Sequence, residues 1–176
     1  MSNPVFEAVR TALAVREYQD REIPDDVVDR IVEAGHLTAS SINQQPWHFV
    51  VVRDRRGLQA LGGLVKTGPY IAGAGAAVVV AYERTSPYGV SDASRAVQSM
   101  VLTAWADGVG SNWAGFGHLD GVREQVGLPD TYEVLCVVPF GYPKHAVKGK
   151  KNRKPLAEVA SLGRDGTPYS LGSSGH

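Results

Sequence analysis

Apolar positions along the chain switch between two periods. Phe6, Val9 and Leu13 recur at helical spacing and predict a first helix over 4–14. Arg16 to Ile23 has no such repeat and reads as extended or irregular. Pro24-Asp25-Asp26 is a helix start; Val27, Val28, Ile31 and Val32 then share one face, and Gly35 is placed to act as C-cap. Trp47–Arg53, Ala76–Tyr82 and Tyr132–Phe140 are β-branched or continuously apolar runs of strand length. Leu58–Leu64 and Leu119–Val126 predict short helices, and Gly127-Leu128-Pro129 ends the second. Ser91 or Asp92 can cap a long central helix on which Ala93, Val97, Met100, Val101, Ala104 and Trp105 stack. Gly108 and Gly110 end it, and Ser111–Phe116 reads as a short strand or extended segment. The strands do not alternate strictly with helices, so the expected class is α+β, not a doubly wound fold.

Length and charge narrow the picture. A chain of 176 residues predicts one domain, 1–162, followed by an irregular tail over 163–176 rich in Gly, Ser and Pro. Lysine plus arginine equal aspartate plus glutamate at 18 each. That balance gives no global attraction to nucleic acid or an anionic membrane, and neither is expected as a partner. The N-terminus lacks the apolar core of a signal peptide, and Ala72–Ala81 is about half a membrane span, so a cytoplasmic location is expected. The single Cys136 rules out an internal disulfide. Its place in an apolar run predicts a buried strand cysteine.

Familiar catalytic signatures are absent. There is no Gly-x-Ser-x-Gly elbow and no phosphate loop ending in Gly-Lys-Ser/Thr. Gly73-Ala74-Gly75 precedes a strand, whereas a dinucleotide fingerprint follows one. His36, His48, His118, His145 and His176 show no metal-ligand spacing, and no metal is expected. Two segments remain. Thr38–Pro46 is polar but uncharged; its hydroxyls and amides suit either a self-capped loop or the alternating donors and acceptors of a flat heteroaromatic ligand. Lys144–Lys154 holds six basic residues and no acid. It is a solvated loop, a phosphate site or, less in keeping with a neutral chain, a nucleic-acid patch.

The order of these segments resembles the nitroreductase family. The family's Arg-Arg-Ser-x-Arg-x-Phe/Tyr motif is matched by Ala12-Leu13-Ala14-Val15-Arg16-Glu17-Tyr18. Its Ala-Pro-Ser-Ala-x-Asn-x-Gln-Pro-Trp motif is matched by Thr38-Ala39-Ser40-Ser41-Ile42-Asn43-Gln44-Gln45-Pro46-Trp47, followed by a strand. Gly110-Ser111-Asn112-Trp113-Ala114-Gly115, Gly141-Tyr142-Pro143 and Lys151-Asn152-Arg153-Lys154-Pro155-Leu156 match three later motifs. The resemblance covers roughly residues 5–160.

It implies an α+β homodimer with a small mixed or antiparallel sheet flanked by helices, and FMN at the shared interface. Arg16 would contact the ring or ribityl region, and Ser40, Ser41, Asn43 and Gln45 would line the flavin. The backbone of Ala114 and Gly115 would pass near the ring, and Lys151 and Arg153 would hold the phosphate. No side chain would be catalytic, because hydride from NAD(P)H would move through the flavin to a nitroaromatic, quinone or related electron-poor acceptor. The chain departs from the pattern at Ala12 and Ala14, where the family has Arg and Ser. Losing those charge-assisted bonds would cost on the order of several kcal/mol unless the lysines of 144–154 replace them. A member that binds flavin or deazaflavin without catalysis is the alternative.

Overall fold

The apolar runs become the middle of a four-stranded antiparallel sheet of order β1-β2-β4-β3. The computed structural model describes residues 3–115, 117 and 119–171. The strands are β1 (Trp47–Val52), β2 (Ala76–Glu83), β3 (Gly110–Ser111) and β4 (Tyr132–Gly141), and the helices are α1 (Pro4–Thr11), α2 (Asp25–His36), α3 (Arg55–Leu64), α4 (Gly89–Ala106) and α5 (Asp120–Gln125). Short 3-10 turns occupy Ser41–Asn43, Pro69–Gly73 and Leu156–Glu158.

β2 is apolar at every position through Ala81 because both its faces are covered. Val78, Val80, Cys136, Val138 and Phe140 face Ile31, Val97 and Met100 of α2 and α4. Ala77, Val79, Ala81, Val134 and Val137 face Leu58, Leu61 and Val122 of α3 and α5. A register shift between Val80 and Ala81 skips Leu135, which switches the alternation of β4 in mid-strand. Cys136 is fully buried, as its apolar setting predicts, and burial raises its thiol pKa far above the usual range. No helix among the described residues is long and apolar enough to cross a membrane.

Several boundaries depart from the sequence pattern. The first helix stops at Thr11, not at 14. Ala12 turns extended, and the next residues pair with β3, Val15 N–H donating to Ser111 O at 2.9 Å. Tertiary pairing overrides helical spacing there. Gly35 is not a C-cap but lies inside α2, which ends one residue later. A Cβ at that position would stand 2.1 Å from Met100 Cε, so Gly35 lets α2 and α4 approach. The expected strand at 111–116 is only the two-residue β3 plus a bridge from Ala114 to Val137. Trp47, Trp105 and Trp113 are half-buried within the single chain; Trp105 Nε1 donates to Thr11 Oγ1 at 2.9 Å. Phe116, His118 and residues 172–176 lie outside the described residues.

Candidate functional site

The buried polar side chains among the described residues are Ser86, Asp92 and Ser111. Buried polar groups are more informative than exposed apolar ones, because each must be satisfied or serve something. All three border the segments that the sequence motifs single out.

Asp92 and Ser86 meet the polar segment Ser40–Gln45. Both Asp92 carboxylate oxygens accept from Ser41, one from its N–H at 2.9 Å and one from its hydroxyl at 3.1 Å. Ser86 Oγ donates to Gln44 Oε1 at 2.9 Å. Within the loop, Ser40 Oγ accepts the Gln45 N–H at 2.9 Å, and the Gln45 amide donates to Asn43 O at 3.1 Å. Self-capping is therefore real here. It does not account for the backbone: Ile42, Asn43 and Gln45 have φ of 49°, 57° and 52°. The left-handed region costs an L-residue roughly 1–2 kcal/mol, and a β-branched residue there is an outlier. Ile42 is nonetheless 85% exposed, so packing does not compel it. Asn43 and Gln45 are also exposed. The loop thus presents two amides and an isoleucine to the outside in a conformation fixed from beneath.

Ser111 lines a cleft of about 290 Å³ with Ala12, Ala14, Asn112, Trp113, Lys151 and Arg153. A second cleft, of about 260 Å³, adjoins it at Ala14 and is lined by Arg16, Pro143, His145 and Lys148. Two alanines thus stand among four cations. Lys151 Nζ donates to Val9 O, and Arg153 Nη1 to Asn152 O at 2.9 Å. Among the described residues, no carboxylate lies within 4.0 Å of Arg16, Lys148, Lys151 or Arg153. Glu17 also lines the second cleft, 3.5 Å from His145 Nε2, but it pairs with none of the four cations, and that donor set suits a dianionic phosphate. Lys150 lines neither cleft.

A polar strip lies beside these clefts. Asn112 Nδ2 donates to Tyr70 Oη, and the Arg16 guanidinium lies 6.0 Å from the Tyr70 ring centroid. Ala114 and Gly115 are buried. The Ala114 N–H and C=O are both taken by Val137 at 2.9 Å, and the Gly115 N–H donates to Thr67 Oγ1 at 3.2 Å. These two residues offer close approach, not free donors. Gly115 sits at φ +88°, and a Cβ there would meet Leu119 at 2.9 Å, so glycine is required.

The structure gathers Arg16, Lys151 and Arg153 around Ala14. It does not bring Ser40, Ser41, Asn43 and Gln45 into that cleft. Ser41 is tied to Asp92 in the first turn of α4, whereas the cleft lies along Val97, Gln98, Val101 and Leu102 of the same helix. That stretch lies five to ten residues further along the helix, about 7.5–15 Å of rise. Sequence reasoning missed Asp92, taken for a helix cap, and Tyr70, which had no motif to mark it. Asp92 lies four residues into the helix and caps nothing.

Comparison with known proteins gives the family. The model of the nitroreductase family matches residues 9–85 and 65–142. A protein of Archaeoglobus fulgidus, provisionally named NADH dehydrogenase/NAD(P)H nitroreductase, is 37% identical over 145 residues, 77% of this chain and 83% of that one. A similarly named protein of Methanothermobacter thermautotrophicus is 33% identical over 147 residues, covering 79% and 77%. The crystal structure of a provisionally named nitroreductase from Desulfovibrio desulfuricans in complex with FMN superposes with a TM-score of 0.80 at 29% identity, over 96% of this chain and all of that one. With most of its length matched both by the family model and by relatives of this closeness, the chain belongs to the nitroreductase family.

Proposed function

We propose that this protein is an FMN-dependent oxidoreductase that accepts hydride from NAD(P)H and delivers it to an electron-poor acceptor such as a nitroaromatic or quinone. The observation that carries the reading is the gathering of Arg16, Lys148, Lys151 and Arg153, without carboxylate partners, around the small residues Ala12 and Ala14. That donor set fits a phosphomonoester. The names of the relatives support the pyridine nucleotide and the FMN complex of the Desulfovibrio desulfuricans protein supports the flavin.

Lys151 and Arg153 would hold the phosphate by charge-assisted bonds, with Lys148 adding charge from the adjoining cleft. Their positions suit replacement of what Ala12 and Ala14 lack. Asn43 and Gln45 would bond the ring edge, where their amides can donate and accept. Arg16, steadied over Tyr70, would place positive charge beside the ring and ribityl region. Bound FMN supplies the redox chemistry by accepting and returning hydride. The protein's work is to bind, orient and keep the reacting faces together.

Loop and cleft lie apart along α4, so we place the complete site between two copies, the loop of one facing the cleft of the other. Exposed Val5, Phe6 and Val9 on α1, with Val159 and Leu162 beyond β4, supply apolar surface for such a dimer. Sedimentation at micromolar concentration is expected to show a dimer, and a clean monomer would overturn the shared site. The absorbance spectrum of the purified protein, taken before and after anaerobic NADH or NADPH, tests the chemistry. Flavin bands that bleach support the oxidoreductase; bound flavin that never bleaches points to a binding protein without turnover; tighter binding of a deazaflavin than of FMN overturns the cofactor.

A further inference from the structure

We infer that Asp92 is a positioning residue that sets the conformation of the Ser40–Gln45 loop for the ring it would contact, a role that rests on the FMN reading above. Asp92 is 0% exposed, and its carboxylate is spent on Ser41, with Arg95 Nη1 3.2 Å from Oδ1. A carboxylate is expensive to bury, and its retention at full burial needs a return elsewhere. Helix capping is not that return. The N-cap of α4 is Tyr88, which makes no side-chain capping bond; Ser91 Oγ donates to Tyr88 O at 3.0 Å, and Asp92 turns sideways to the loop.

What Asp92 holds is the one described segment in which three non-glycine residues take positive φ. Left-handed backbone at an exposed isoleucine persists only where the surroundings over-determine it. The bidentate grip on Ser41 is immediately before Ile42, and the Ser86 bond to Gln44 is immediately before Gln45. The exposed amides of Asn43 and Gln45, which also bond each other through Gln45 Nε2 and Asn43 Oδ1 at 3.2 Å, therefore sit on a backbone held by Asp92, with Ser86 as a second anchor. Released, the loop relaxes toward ordinary φ and the amides turn away.

The test uses the full chain with FMN and the variants Asp92→Asn and Ser41→Ala. Asn keeps the shape but loses the charge beside Arg95, and its NH2 forces the Ser41 hydroxyl to turn from donor to acceptor. The expected result for Asp92→Asn is an FMN Kd at least tenfold higher, by fluorescence quenching, with a displaced midpoint potential of the bound flavin. A carboxylate that merely stabilised the fold would lower the melting temperature and leave that potential unchanged. Folded Asp92→Asn protein with wild-type Kd and wild-type potential overturns the inference. If Asp92→Asn does not fold, Ser41→Ala decides: a Kd raised threefold or more supports the clamp, and an unchanged Kd overturns it. If wild-type protein takes up no FMN, the cofactor reading fails on its own. The clamp is then judged by amide hydrogen exchange at Ser41 and Gln45, where acceleration in Asp92→Asn upholds it and unchanged exchange overturns it.

Discussion

The polar loop at 40–45 and the cationic cleft beside Ala14 are built on opposite plans. The loop is short, uncharged and tied at Ser41, Gln44 and Gln45 by bonds that leave its backbone in left-handed conformations. The cleft depends on long, mostly exposed cations on an extended segment, with few bonds to hold them. One spends folding energy on direction; the other supplies charge and leaves geometry to the ligand. A planar ring edge with fixed donors and acceptors rewards direction, and a phosphate with equivalent oxygens rewards charge.

The comparison breaks most visibly at the cleft. Lys151→Ala with Arg153→Ala is expected to weaken FMN binding a hundredfold or more in a fluorescence titration, since each charge-assisted bond is worth about 1.5–3 kcal/mol. Arg153→Ala alone is expected to lose about tenfold. If the two single losses sum to more than the double, the cations share one group. Ala14→Ser restores a family hydroxyl where the two clefts meet and is expected to tighten FMN binding about threefold to tenfold, as a new bond of about 0.5–1.5 kcal/mol allows. Lys148→Ala should weaken binding less and flatten its dependence on ionic strength, whereas Lys150→Ala should change neither. At the loop, Ile42→Gly removes the strain without losing burial. It is expected to stabilise the apoprotein by about 1 kcal/mol, a rise in melting temperature of about 2–4 °C.

The two plans also differ in how openly the sequence declares them. Charge is visible: the basic run, Arg16 and the two alanines are read directly, and the structure brings Arg16, Lys148, Lys151 and Arg153 to the two clefts that adjoin at Ala14. The polar loop was visible as composition, and its motif named the residues, but its left-handed backbone was not. Nothing in Ile42 signals positive φ, because the cause lies about fifty residues away in Asp92. The same holds for Asp92 itself: near the start of a helix an aspartate looks like a cap, and only packing shows that it reaches elsewhere. In the fold, β2 and β4 were legible because burial on both faces forces continuous apolar runs. The end of α1 and the role of Gly35 were not. Pairing with Ser111 decides the first, and the approach of Met100 decides the second.

The strained loop has a kinetic consequence. A segment already held in its outward conformation need not rearrange when a ligand arrives, so ordering adds no slow step to capture. Under the proposed site, encounter would be governed by the cations around Ala14, which draw an anion in and lose their pull as ionic strength rises. Departure would be governed by the loop, whose bonds must all be broken from a fixed geometry. Salt and loop mutations should therefore act on different halves of the same affinity, one on the rate of arrival and the other on residence time.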